Sequence, residues 1–243
     1  MIEAIEKLKD DSQYYGDFGK QYLSNSDIGT LLKNPREFKK SQPDNPVFAK
    51  GRYFHQLILE PEKAEDWDFV DVSSRSTKAY KEYCASMGVD FALLERERIE
   101  IQGWAAAMMS NFEMYVEISR EDAEYEVPQI MEIKGEMWKG KADIVTSHQV
   151  IDLKTTSDIG QFKWNARKYN YDSQAYIYGE MFGKPLVFFV IDKTSKMLGV
   201  FEPTPAFLAS GEEKVEKAVE VYRKFFGSDA EEDIDTYIIH EFL

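Results

Sequence analysis

Gly140-Lys141-Ala142-Asp143 and Ile151-Asp152-Leu153-Lys154 lie a few residues apart, and the way these two stretches are read decides the fold. In a strand, residues i and i+2 share a face. Asp152 and Lys154 therefore point one way while Ile151 and Leu153 point into a core. If Asp143 comes from a neighbouring strand, two carboxylates meet with an ammonium beside them. Two carboxylates hold a hard cation such as Mg²⁺ through oxygen, and the lysine steadies an attacking water or the charge on a phosphate. The pattern points to metal-dependent phosphodiester hydrolysis.

An acidic-x-Lys triplet is common, about one or two arising by chance in a chain of this size. Glu132-Ile133-Lys134 and Glu212-Glu213-Lys214 also fit. The second lies in a strongly helical segment, where i and i+2 do not face each other. Only Asp152-Leu153-Lys154 follows a strand ending in Gly-x-Ala-Asp and has apolar neighbours on the opposite face. The bland alternative for Asp152 and Lys154 is an ion pair at a solvated sheet edge.

Working outward, β-branched and alternating residues dominate from Tyr125 to Thr155, with Gly135 and Ser147-His148-Gln149 as punctuation, which predicts three antiparallel strands. Downstream, helices are expected over Phe162–Lys168 and Asp172–Phe182, and strands over Leu186–Asp192 and Met197–Glu202. A last helix is expected over Pro205–Phe226, with Val215, Val219, Tyr222 and Phe226 in register. Upstream, Ser24 or Ser26 can cap a helix that carries Asp27 in its first turn and stops before Asn34-Pro35. A proline loop, Ser41 to Pro46, leads to a helix over Val47–Leu59 with Gly51, His55, Ile58 and Leu59 on one side. Helices over Ser76–Met87 and Leu94–Val116 should follow, the second buried through Trp104, Met108, Phe112 and Tyr115. With no internal repeat and no low-complexity linker, the simplest account is one α/β domain over 1–243: a helical N-terminal part (about 20–118), a catalytic core (about 120–226) and an acidic, then apolar, tail (228–243).

The 243 residues can bury a sizeable core, and 43% hydrophobic content with 14% aromatic fits a globular protein. No apolar run is long enough for a membrane span, and the start, Met1-Ile-Glu-Ala-Ile-Glu-Lys7, lacks the basic flank and apolar core of a signal peptide, so a cytoplasmic protein is expected. The single cysteine, Cys84, cannot form an intrachain disulfide or a four-cysteine zinc or iron–sulfur site. It sits at helical spacing among Tyr80, Tyr83 and Met87, as a buried thiol would. A formal charge of −14 argues against wrapping nucleic acid with the whole surface, but leaves room for local basic tracts. Candidates are Lys33, Arg36, Lys39 and Lys40; Lys50 and Arg52; Arg75, Lys78 and Lys81; and Lys163, Arg167 and Lys168.

The ordered series His55, Asp143, Asp152-x-Lys154 and Gln174-x-x-x-Tyr178 resembles the RecB-type branch of the PD-(D/E)XK nuclease superfamily. The wider sequence is similar to the RecE-like exonucleases, the exodeoxyribonuclease VIII group. The resemblance rests on Leu23-Ser-Asn-Ser-Asp-Ile28 with Asn34-Pro-Arg-Glu-Phe38, on Lys50-Gly-Arg-Tyr-Phe-His-Gln-Leu-Ile-Leu-Glu-Pro61, on Arg75-Ser-Thr-Lys78 and on Ile151-Asp-Leu-Lys-Thr-Thr156, and it spans roughly residues 20 to 225. It implies a restriction-endonuclease-like core, a mixed central sheet flanked by helices, with a helical N-terminal elaboration. His55, Asp143, Asp152 and the Leu153 carbonyl are then metal ligands for Mg²⁺, with Mn²⁺ able to substitute, and Lys154 serves the hydrolytic water. Gln174 and Tyr178, one helical turn apart, position the DNA backbone or the lysine. A further acidic residue precedes the strands in this superfamily, and both Glu124 and Glu126 qualify.

The resemblance further implies an exodeoxyribonuclease acting on double-stranded DNA ends, 5′ to 3′, that leaves 3′ overhangs for a single-strand annealing protein. It would be a ring-shaped homo-oligomer of bacterial or phage origin. Ser26 and Arg36 are the candidates for a phosphate pocket near the N-terminal helix. A related branch with four cysteines around an iron–sulfur cluster is excluded by the cysteine count. The rival readings are a structure-selective or single-strand endonuclease using the same site, and a non-catalytic acidic interaction protein.

Overall fold

The two motif strands lie next to each other in a five-stranded sheet. The computed structural model describes residues 1–40, 44–230 and 232–239. The strands are β1 (Glu124–Ile133), β2 (Glu136–Val145), β3 (Val150–Thr156), β4 (Leu186–Asp192) and β5 (Leu198–Phe201), in that spatial order. β1, β2 and β3 run antiparallel, β3 and β4 are parallel, and β5 returns antiparallel, so the sheet is mixed. Gly135, in the left-handed region at φ 78°, turns β1 into β2.

The main helices are α1 (Asn25–Lys33), α2 (Pro46–Leu59), α3 (Lys78–Met87), α4 (Glu95–Met109), α5 (Phe112–Ile118), α6 (Phe162–Lys168), α7 (Tyr171–Phe182) and α8 (Pro205–Phe225). Two cores form, one on each face of the sheet. Ile28, Leu31, Trp138, Val150, Ala175, Ile177, Val190 and Val215 join α1, α7 and α8 to one face. Phe54, Ile101, Trp104, Met108, Ile144, Ile151, Leu153, Phe189 and Ile191 join α2 and α4 to the other. Ile151 and Leu153 are fully buried, which leaves Asp152 and Lys154 to the opposite face. β4, covered on both faces, is buried at all seven positions. The expected α/β architecture, a mixed sheet flanked by helices with a helical N-terminal elaboration, is the one observed.

Two local expectations need correction. The single helix expected over Leu94–Val116 is two helices, because the Asn111 side chain accepts the Met114 N–H and starts a new helix on a new axis. Met114 and Ile118 are buried instead of Phe112 and Tyr115, which are 79% and 48% exposed. The proline loop falls partly outside the described residues, since 41–43 are not described, and the same holds for 231 and 240–243 of the tail. Asn45 accepts the Val47 and Phe48 N–H groups at the start of α2.

Elsewhere the local chemistry agrees with the reading. Asp27 in the first turn of α1 accepts both the backbone N–H and the hydroxyl of Ser24. Cys84 is a buried thiol packed with Val70, Tyr80 and Leu94. No described helix is long and apolar enough to cross a membrane.

Candidate metal-dependent active site

The β2–β3 ladder has only two pairs, Ile144 with Ile151 and Val145 with Val150. Beyond them the strands part, and the Leu153 N–H, which a continuous ladder would have paired, is taken by the Asp143 carboxylate at 2.7 Å. The side-chain alternation of β2 breaks at the same point: Ala142 packs into one core and Ile144 into the other. Across β1, Tyr125 pairs with Ile144 and Val127 with Ala142, which sets Glu126 opposite Asp143. Glu126 has φ 51°, a left-handed conformation that a non-glycine residue adopts at a cost of about 1 kcal/mol or more and that gathers at functional sites.

His55 reaches this opening from α2. Its Nε2 donates to the Leu153 carbonyl at 2.9 Å and its Nδ1 lies 3.4 Å from Asp143 Oδ2. His55, Glu126 and Asp143 each offer one ligand atom, and these atoms all lie within 4.8 Å of one another. Burial disfavours the imidazolium, yet the Asp143 carboxylate outweighs it and the His55 pKa rises to about 9. Burial likewise opposes ionisation of Asp143, but His55 and Lys154 hold its pKa below the ordinary value. Glu126, desolvated and facing the Asp143 charge, is pushed up to about 7. This crowding of carboxylates around an imidazole is what a divalent cation relieves.

Asp152 lies on the other side of β3 from His55's helix. Its Oδ1 accepts from Gln174 Nε2 at 2.5 Å, and Oδ2 is 2.6 Å from Lys154 Nζ. That second contact is an ion pair without hydrogen-bond geometry, so the buried Oδ2 has no hydrogen-bond donor among the described residues. Burial raises the Asp152 pKa despite the neighbouring lysine. Lys154 loses solvation too, but Asp152 holds it charged, with its pKa up to about 12, and the Tyr171 ring lies 4.8 Å from its Nζ. An under-satisfied buried carboxylate oxygen, a second carboxylate, a carbonyl and one imidazole are a hard, oxygen-rich donor set suited to Mg²⁺ or Mn²⁺.

The structure thus brings His55, Asp143 and the Leu153 backbone together and adds Glu126, while Asp152, Lys154 and Gln174 form a second group on the other side of β3. Two acidic positions were open in the sequence, and the register separates them: Glu126 stands opposite Asp143, while Glu124, two residues along, is exposed beside Val145. Tyr178 needs correction. Its hydroxyl donates to the Lys141 carbonyl at 2.9 Å and accepts the Lys141 N–H at 3.3 Å, so the phenol is committed to β2 and not presented to a ligand. Gly140 permits this approach, since a Cβ there would lie 2.8 Å from the Tyr178 ring. Ser26 and Arg36 have no contact with the site. The Ser26 hydroxyl bonds Ser24, and Arg36 donates to the carbonyls of Asp235 and Tyr237, holding the tail.

Residues 23–231 match the family described as a PDDEXK-like domain of unknown function (DUF3799). No curated protein matches the sequence. Among solved structures, the chain is similar to the protein called "Putative exonuclease" from Eubacterium rectale. The two share 16% identity and a TM-score of 0.64, over 96% of this chain and 95% of that one, which is a likeness of fold. The structure of SSO0001 aligns more loosely, with 17% identity and a TM-score of 0.39 over 90% of this chain and 85% of that one.

Proposed function

The chain belongs to the PDDEXK-like DUF3799 family, and with it to the PD-(D/E)XK nuclease superfamily, and from that membership and the site geometry we propose that it is a Mg²⁺-dependent exodeoxyribonuclease of the RecE-like kind. The observation that carries the reading is the splayed β2–β3 pair, with Asp143 capping the Leu153 N–H and Asp152 held between Gln174 and Lys154 over an under-satisfied buried oxygen.

In this reading Asp143, Asp152, Glu126, His55 and the Leu153 carbonyl hold the cation. When bound, the metal supplies Lewis-acid polarisation of the phosphate and acidifies a coordinated water. Lys154 keeps a positive charge where the attacking water and the phosphate oxygens meet. Gln174 fixes the Asp152 carboxylate through Oδ1, leaving Oδ2, paired with the Lys154 ammonium, as the oxygen that would serve a cation. His55 must give up a proton to become a ligand, because beside Asp143 it is protonated at neutral pH in the metal-free protein.

The substrate is proposed to be linear double-stranded DNA, degraded from the 5′ end to leave 3′ overhangs for a single-strand annealing partner. A ring-shaped homo-oligomer would explain how a chain of charge −14 stays on DNA: topology would do the holding in place of surface charge. The crystallised relative named an exonuclease has the same fold, which supports the class and not the polarity. The deciding assay supplies Mg²⁺ and end-labelled linear duplex, nicked circle and covalently closed circle. Digestion of the linear form with the closed circle spared is expected. Equal cutting of the closed circle would replace the exonuclease by the endonuclease reading, and no Mg²⁺- or Mn²⁺-dependent hydrolysis of any form would reject the nuclease altogether.

A further inference from the structure

The segment between β3 and α7 has a pattern found nowhere in the catalytic chemistry. Phe162 and Ala166, one helical turn apart, are 3% exposed and anchor α6 to the core, Phe162 packing on Phe188 and Phe201. The other arc of this helix carries Lys163, Trp164, Arg167 and Lys168, all exposed, and Tyr169 follows directly. Trp164 is 66% exposed and Tyr169 57%, a large apolar area to leave in water. Phe162–Tyr169 holds three cations and no acidic residue in a chain of net charge −14. None of the three has an acidic partner within 4.0 Å among the described residues. The segment also leads into the site: the Tyr169 and Tyr171 rings are 6.0 Å apart, and Tyr171 lies 4.8 Å from Lys154 Nζ.

We propose that α6 with Tyr169 and Tyr171 is a ledge that binds single-stranded DNA next to the scissile position, Lys163, Arg167 and Lys168 holding the backbone and Trp164 and Tyr169 stacking on bases. The inference rests on the nuclease reading and specifies the form in which the strand lies at the site. Aromatic side chains stack on base faces that a duplex interior keeps covered and a separated strand exposes, and exposed cations beside them supply backbone affinity independent of sequence. Along the side of a duplex the Trp164 ring would keep only the Lys163 ammonium, 4.8 Å from its centre, as a partner. The ledge therefore requires that the strand be separated from its complement before it reaches Lys154.

The test reads affinity without turnover. Fluorescein-labelled (dT)12 is titrated into the wild-type protein in EDTA, following anisotropy and tryptophan emission. Of the other three tryptophans, Trp104 and Trp138 are fully buried and Trp67 is half-buried, so the part of the signal that is lost in Trp164→Phe reports the ledge. Trp164→Ala is expected to weaken (dT)12 binding by about 5- to 100-fold, with Trp164→Phe largely restoring it. The triple variant Lys163→Ala/Arg167→Ala/Lys168→Ala is expected to lower the slope of log affinity against log salt by about 2. Unchanged affinity in Trp164→Ala, or binding of a 12-base-pair duplex as tightly as (dT)12, would overturn the ledge. Because these measurements need no metal, a wild type that binds (dT)12 through Trp164 yet hydrolyses nothing would reject the nuclease reading and leave the ledge standing.

Discussion

The Asp143 carboxylate accepts the backbone N–H of Leu153 at 2.7 Å, so a side chain of one strand takes the place of a ladder bond to the next. The contact ties the metal-ligand candidates of β2 and β3 to a single opening in the sheet. It also makes the site depend on the strands staying apart, because a closed ladder would draw the Asp143 side chain away from Leu153 and His55.

Asp152→Asn should abolish hydrolysis while keeping the fold. The amide is isosteric, and Gln174 can still donate to its oxygen. A ligand anion is lost, so turnover should fall by at least about 10²- to 10³-fold, as for other electrostatic sites. Circular dichroism in EDTA should keep the wild-type spectrum, with a lower melting temperature because the Lys154 ammonium loses the carboxylate 2.6 Å away. Substantial Mg²⁺-dependent activity in the pure variant would remove Asp152 from the site.

Glu126→Gln and Glu124→Gln should separate cleanly. Glu126 shares an ion-sized space with His55 and Asp143, whereas Glu124 is exposed. Mn²⁺ titration calorimetry should show weaker binding in the first variant and an unchanged constant in the second. Equal behaviour of the two would mean that the left-handed turn at Glu126 serves the strand and not a ligand.

Gln174→Ala should act through Asp152. Losing the 2.5 Å contact frees the carboxylate to rotate, and outer partners of metal ligands typically contribute about 10- to 100-fold in affinity or activity. The activity lost should return in part as Mg²⁺ is raised, which a simple loss of fold would not allow.

Lys154→Ala should differ in kind. The carboxylates remain to bind cation, but the charge that meets the phosphate is gone, so the loss should fall on kcat and amount to several kcal/mol. Ca²⁺ binding by calorimetry, set beside single-turnover rates, checks this. Unchanged turnover refutes the assigned role, and lost Ca²⁺ binding would instead make Lys154 the group that holds Asp152 in place.

Glu97 sets an acid limit on stability. Burial opposes its ionisation, but Arg75 at 2.6 Å, the Leu94 N–H and Lys50 at 2.9 Å together depress its pKa to about 2. Its folded value is below the unfolded one, so its contribution is fully present above about 4.5 and drains away as pH falls toward about 2. Allowing for solvent screening, about 2 kcal/mol is at stake. Urea unfolding of wild type and Glu97→Gln at pH 7 and pH 3.5 should show a gap that narrows in acid. A gap independent of pH would mean the Glu97 charge contributes nothing.

What the sequence determined by itself was whatever depends on local periodicity. Two-residue alternation placed Ile151 and Leu153 in the core with Asp152 and Lys154 opposite, and all five main strands and the helices carrying His55 and Gln174 were legible in the same way. Chemistry confined to one turn, such as the Ser24–Asp27 start of α1, was readable too. Contacts between distant segments were not. Glu124 and Glu126 are equivalent by period and differ only through the pairing of β1 with β2, and Tyr178 and Gln174 share a helix face yet meet different partners because the sheet beneath them twists and parts. The break at Ser110–Asn111 escaped for a similar reason: a helical period continues through it, and only packing against the sheet buries Met114 and Ile118 in place of Phe112 and Tyr115. A side chain's facing within one element is fixed by backbone geometry over a few residues. Its partner is fixed by strand register and helix docking, and these exist only once the whole core has closed.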